Sequence, residues 1–244
     1  MTKFLILQLR PEDEASDDEY AAILRAGGLQ ADQTHRIRLD RDPLPDLDPR
    51  DYAGTIVGGG PGCVSDAAAD KTPSDARAEA ACLSLMPRIT DHDLPFMGCC
   101  YGIGILAHHL GADVSKARFG ESVSAATCTK TAQGEADPLL ADLPPSFDAF
   151  VGHKEAVQNL PPDTAHLLSG TVCPFQMIRH KSNVYATQFH PEADAHSFAT
   201  RIRIYRTKGY FPPDQAEALT RLVHAADVSH APRVLHAFVR RYRP

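Results

Sequence analysis

A short apolar stretch, Leu94–Met97, runs into Gly98-Cys99-Cys100-Tyr101-Gly102, and an apolar, helix-like segment follows. A thiol centred between two glycines at a strand-to-helix turn has the layout of a nucleophile elbow, with cysteine where other enzymes use serine. The glycines let two backbones pass closely around a strained residue. Cys100 is the centred residue and Cys99 is not. A helix starting at Tyr101 aims its positive dipole end at the thiol, which predicts a lowered thiol pKa. A sulfur nucleophile needs a group to take and return its proton. His190 follows the apolar segment Ala186–Phe189, Pro191 stops that strand, and Glu192 lies two residues on. In extended backbone His190 and Glu192 point to the same side. Glu192 can then hold one ring nitrogen while the other faces Cys100, which is the orienting role of a triad acid.

Gly58-Gly59-Gly60-Pro61-Gly62 follows another apolar stretch. It lacks the Lys-Ser/Thr ending of a phosphate loop and the spacing of a dinucleotide loop. A turn of this kind can present backbone N–H groups to an oxyanion. One would come from Gly60 or Gly59, and a second from Tyr101, the residue after the nucleophile.

These residues need a scaffold, and the patterning supplies one. Lys3–Leu9 reads as a strand, Asp17–Ala26 as a helix closed by Gly27-Gly28, Thr34–Leu39 as a strand, and Asp42–Arg50, with three prolines, as a loop. Gly54–Val57 is a short strand. Ser74–Thr90 is a helix with Ser74 and Asp75 at its start, Leu94–Met97 a strand, and Tyr101–Leu110 a helix ended by Gly111. Alternating strands and helices predict a parallel sheet covered on both faces. Glu121–Val157 reads as strands and loops, and Phe175–Ile178 with Val184–Phe189 as a hairpin. Three helical patterns close the chain: Ala193–Lys208, Pro213–Ala226 and Ala231–Tyr242. Tyr205, Tyr210 and Phe211 fall at a helix end, where packing is expected.

The chain has 244 residues, 43% apolar and 23% charged, as expected for a globular protein. A net charge of -6 argues against a dedicated nucleic-acid binder. No apolar run approaches the ~20 residues of a membrane span, and Phe4–Leu7 is too short for a secretory core. The expectation is a cytoplasmic protein with no membrane or nucleic-acid partner. Six cysteines without a CxxC pair read as free thiols, and no metal or cofactor is expected. His108 and His109 point about 100° apart on a helix and make a poor metal pair.

The set Gly58–Gly62, Pro95-Phe96-Met97-Gly98-Cys99-Cys100-Tyr101-Gly102 and Thr187-Gln188-Phe189-His190-Pro191-Glu192 resembles the class I, triad-type glutamine amidotransferases, and within them most the glutaminase domain of GMP synthases. A fourth segment, His153-Lys154-Glu155-Ala156-Val157 with Leu160-Pro161 after it, is similar to a further family motif. The resemblance covers about Lys3 to Glu192. It implies a three-layer, flavodoxin-like α/β fold with a mostly parallel sheet. One amidotransferase-like domain would occupy 1–244, with a core of about 1–192 and a helical extension of about 193–244. It implies a Cys100 γ-glutamyl thioester, with His190 as base and acid, Glu192 as its orienter, and Gly60 and Tyr101 at the oxyanion.

Two departures stand out. The family usually carries glutamine four residues after the nucleophile, where it helps bind substrate; here that residue is Gly104. Losing an amide from a polar pocket costs roughly 1–3 kcal/mol of binding, and the space could admit a larger γ-glutamyl group. The chain also ends soon after the glutaminase-like region, so ammonia would pass to a separate synthetase subunit or be released. The leading expectation is a free-standing glutamine-hydrolysing enzyme. The alternatives are a γ-glutamyl peptidase and a non-catalytic module of the same fold.

Overall fold

The computed structural model describes residues 2–244. Its strands are β1 (Phe4–Gln8), β2 (Thr34–Arg38), β3 (Gly54–Val57), β4 (Phe96–Cys99), β5 (Val114–Ser115), β6 (Glu121–Lys130), β7 (Ser146–His153), β8 (Ala156–Val157), β9 (Thr164–Ser169), β10 (Met177–His180) and β11 (Val184–Thr187). Its helices are α1 (Asp13–Gly27), α2 (Pro73–Asp91), α3 (Tyr101–His109), α4 (Ala132–Glu135), α5 (Ala195–Ile204), α6 (Ala216–Ala225) and α7 (Pro232–Tyr242).

Nine strands form one sheet in the order β2-β1-β3-β4-β11-β10-β9-β6-β7, and β5 pairs with β8 apart from it. The first five are mutually parallel. Beyond β11 every neighbour is antiparallel, so only β10 and β6 run against the other strands. The alternation of β1 sorts its side chains to two faces. Phe4 and Ile6 join a core built with Ile23 of α1 and Val234, Leu235 and Phe238 of α7. Leu5 and Leu7 join a second core, with Cys82, Leu85 and Met86 of α2 and Leu106 of α3. This is the three-layer α/β arrangement that the sequence predicts.

The last helices have two destinations. α7 covers the α1 face of the sheet. α5 and α6 form a third core with Val123 of β6 and Phe150 of β7, in which the rings of Phe150 and Phe198 stack at 4.7 Å. Among the described residues no helix is long and apolar enough to cross a membrane.

Boundaries differ from the sequence reading where local chemistry decides them. α1 begins at Asp13, four residues early, because the acidic run Asp13–Glu14 serves as its first turn, where the helix dipole favours negative charge. α2 is capped by Thr72, whose hydroxyl accepts from Asp75 N, with Pro73 as the first helical residue. Ser74 is therefore not its cap. β4 lies two residues later than the predicted Leu94–Met97, because its pairing with β3 and β11 starts only at Phe96. β9 has no counterpart in the sequence reading: His166 and two leucines in a Thr- and Ser-flanked stretch leave no clear alternation.

Candidate active site

The elbow is formed as its glycines require. Cys100 sits between β4 and α3 with φ 54° and ψ -93°, a backbone that L side chains seldom adopt. A Cβ on Gly98 would come within 2.7 Å of the Gly102 backbone, so the strand and helix can pass only because both residues lack side chains. Cys100 N–H donates to Thr187 O at 2.8 Å. This bond continues the parallel β4–β11 ladder, in which Cys99 pairs with Thr187. Cys99 is fully buried in the α1-side core, so its sulfur faces away from the site.

β11 ends at Thr187, and the chain continues to His190, whose N–H donates to Phe150 O of β7 at 2.9 Å. Cys100 and His190 line the same pocket. The His190 ring approaches Glu192 with Nδ1 at 2.8 Å from Oε1. That hydrogen bond needs the proton on Nδ1, which leaves Nε2 as the basic nitrogen. The structure thus brings together the three residues singled out as nucleophile, base and orienter, although β11 stops short of them.

Three further side chains shape this centre. Arg201 of α5 donates from Nη1 to the same Glu192 oxygen at 2.7 Å. Arg10 lies buried between Glu19, which accepts from its Nε at 2.7 Å, and Tyr205, whose hydroxyl accepts from Nη1 at 3.2 Å. Neither arginine belongs to a local motif, and only tertiary folding carries them to the site.

The electrostatics follow from burial. Burial pushes the Cys100 thiol up to about 12, while Arg10 and Arg201 pull the other way. The lowered pKa expected from the α3 dipole is therefore not what the structure gives, because desolvation outweighs the helix end. Burial also holds His190 below its ordinary value, against the pull of Glu192. For Glu192 burial acts upward, but His190 and Arg201 prevail and keep it well below the usual carboxylate range.

The glycine turn lies beside this pair. Gly59 donates its N–H to Glu19 Oε1 at 3.1 Å, which removes it as an oxyanion donor. A Cβ there would lie 2.7 Å from Arg10 Nη2 and 2.8 Å from His190 Cε1, so Gly59 instead permits close packing. Among the described residues no protein acceptor takes the Gly60 N–H. Tyr101 N–H is the first orphan donor of α3. Gly60, Tyr101 and Cys100 share the wall of a second pocket with Gly104 and Glu155.

Gly104 is not an open gap. A Cβ there would sit 3.1 Å from Glu155 Oε1, so the Glu155 carboxylate reaches toward the space that a longer side chain would fill. The segment after α5 covers the site: Tyr210 borders both pockets, its hydroxyl donates to Gly60 O at 3.4 Å, and Lys154 Nζ donates to Lys208 O at 2.9 Å. Sequence patterning gives Tyr205, Tyr210 and Phe211 only a packing role; all three line the pocket at Cys100.

Among the described residues, Glu121, His153 and Cys173 offer ligand atoms within 4.8 Å of one another. Both His153 ring nitrogens are engaged, with Glu121 Oε2 at 2.9 Å and Glu155 O at 2.8 Å, so the cluster acts as a buried hydrogen-bond brace.

Residues 21–203 match the sequence family described as glutamine amidotransferase class-I. The chain belongs to the class-I glutamine amidotransferase family. It is 35% identical over 107 residues to the glutamine-hydrolyzing subunit of a GMP synthase from Thermoplasma acidophilum, a match covering 43% of this chain and 52% of that one. The chain thus spans about half the length of that relative. Among solved structures, a glutamine amidotransferase from Thermotoga maritima superposes with a TM-score of 0.75 at 16% identity, covering 99% of this chain and 98% of that one. One from Methylobacillus flagellatus does so with 0.74 at 19% identity, covering 99% and 94%. At these identities the two structures establish the shared fold, including the C-terminal helices. The family is one of cysteine-dependent amidotransferases, and the enzyme class of this chain follows at that level.

Proposed function

We propose that this amidotransferase hydrolyses the γ-amide of a γ-glutamyl substrate, glutamine in the first instance, through a thioester on Cys100. His190 Nε2 takes the thiol proton as sulfur attacks the γ-carbonyl carbon. The N–H groups of Gly60 and Tyr101 receive the developing oxyanion. His190 returns the proton to the departing nitrogen, the C–N bond breaks, and ammonia leaves. Water then gives a proton to His190 and its oxygen to the thioester carbon; the C–S bond breaks, freeing glutamate and the thiol. Glu192 keeps the imidazole in the Nδ1–H tautomer and supports its positive charge. The observation that carries this reading is the common pocket of Cys100 and His190, with His190 bonded to Glu192 at 2.8 Å.

The name of the Thermoplasma acidophilum relative, which is one subunit of a GMP synthase, supports delivery of ammonia to a separate synthetase polypeptide. A second reading, cleavage of γ-glutamyl peptides, is favoured by the room on the far side of Cys100. There the pocket runs between Arg10, Arg201, Phe198 and Tyr205, which is space that a departing ammonia does not need. Turnover by the purified protein separates the readings. Ammonia from glutamine supports the first, and release of the amino product from γ-glutamyl dipeptides with glutamine inert supports the second. If both substrates are inert and a glutamine-analogue electrophile leaves Cys100 unlabelled, the chain is a binding module and the proposal fails.

A further inference from the structure

Glu155 is a buried carboxylate with donors but without a cation. It is 7% exposed. Val64 N–H donates to Oε1 at 2.9 Å, and Ser65 donates to Oε2 from N at 3.0 Å and from Oγ at 2.7 Å. Among the described residues no lysine, arginine or histidine forms an ion pair with it, whereas buried Glu19, Glu121 and Glu192 each have one. A buried carboxylate is costly unless hydrogen bonds and opposite charge compensate it. Oε1 accepts only the Val64 bond and approaches the vacancy at Gly104, in the pocket that holds Cys100 and the two free N–H groups. A substrate whose γ-carbonyl reached Cys100 from this pocket would extend its far end toward Glu155. The far end of a γ-glutamyl group carries an α-ammonium.

We propose that Glu155 is the specificity residue for the α-ammonium of the γ-glutamyl substrate, and that Gly104 leaves the room for that ammonium to meet Oε1. The inference rests on the γ-glutamyl reading of the site. It assigns to an ion pair the recognition that the missing amide at position 104 would otherwise supply. It also excludes substrates with the same γ-amide and no α-amino group, because they would leave the carboxylate buried and unpaired.

Binding and turnover test separate parts of this. Calorimetric titration of the Cys100→Ser protein with L-glutamine and with its des-amino counterpart, 4-carbamoylbutanoate, reads recognition without chemistry. A hydrogen bond between charged groups predicts about a 10- to 100-fold preference for glutamine. Adding Glu155→Gln should collapse the preference to within about threefold, and Glu155→Asp should restore part of it. Thermal melting of each protein shows whether the Val64–Ser65 turn is still held. Equal binding of the two ligands, no binding of either, or a preference unchanged in a folded Glu155→Gln protein would overturn the assignment. Wild-type turnover addresses the parent reading. Preferential binding without hydrolysis would refute the hydrolase and leave the ammonium site standing, and hydrolysis indifferent to Glu155 would do the reverse.

Discussion

Glu192 meets His190 through one oxygen only: Oε1 lies 2.8 Å from Nδ1, while Oε2 is buried without a partner. Arg201 takes the same Oε1 at 2.7 Å. The orienting carboxylate is therefore pinned from two sides at a single atom. This explains how an acid only two residues from its histidine holds one rotamer.

Cys100→Ser should keep the fold and lose turnover by about 1000-fold or more, since an alcohol is a far weaker nucleophile than sulfur at the same site. Ammonia release from glutamine, measured beside a melting curve, checks both halves. Activity within tenfold of wild type would move the nucleophile away from position 100.

His190→Ala should cost more than Glu192→Gln, by about 10- to 100-fold in kcat, because proton transfer outweighs orientation. Steady-state kinetics of the two variants decide it. A reversed order would require another acid partner for the ring.

Arg10→Met should destabilise the protein by about 3–5 kcal/mol in urea unfolding, because it strands the Glu19 carboxylate, which is 0% exposed. Adding Glu19→Gln should recover part of the loss, a coupling that marks a genuine pair. If the single and double variants lose the same amount, the ion pair is not what matters there.

The rate should stay level as the pH falls through the ordinary histidine range, because burial lowers the His190 pKa and the ring remains a base. With the thiol pushed up to about 12, alkylation of Cys100 by iodoacetamide should still be accelerating at pH 10. An acid limb centred above pH 7, or an alkylation plateau near neutrality, would indicate a preformed thiolate–imidazolium pair instead.

Stability should fall on the alkaline side. Burial raises all six thiols, with Cys63, Cys82 and Cys173 pushed up to about 12. A thiol whose pKa is higher folded than unfolded adds stability below about pH 9, and that share is lost as pH climbs toward 12. The limiting slope is about 1.4 kcal/mol per pH unit for each thiol. Urea midpoints at pH 8 and pH 10 measure it, and no drop would mean that the thiols ionise while folded.

The elements that position Cys100 are readable because their signals are local. Gly54–Val57 and the start of α3 at Tyr101 match the sequence reading, and the two glycines at the elbow mark the turn through sterics alone. His190 and Glu192 are readable as a pair because their separation of two residues carries its own geometry. Arg10, Arg201 and Tyr205 are not, because their roles depend on packing between elements far apart in the chain. The thiol pKa escapes the sequence for a related reason: a helix end is visible there, whereas the depth of burial is not. Glu155 lies in a segment noted for its resemblance, but its place beside Gly104 emerges only once β7 and α3 come together.

β4 and β11 are hydrogen-bonded neighbours in the interior of the sheet, and Cys100 is tied to the end of β11 by its own amide. The separation of sulfur and imidazole is consequently as stiff as the ladder between them. A docking protein could not switch this enzyme on or off by drawing those two groups apart without tearing the middle of the domain. Control from outside would have to act at the doorway, where Lys208 and Tyr210 close the entrance through two single hydrogen bonds.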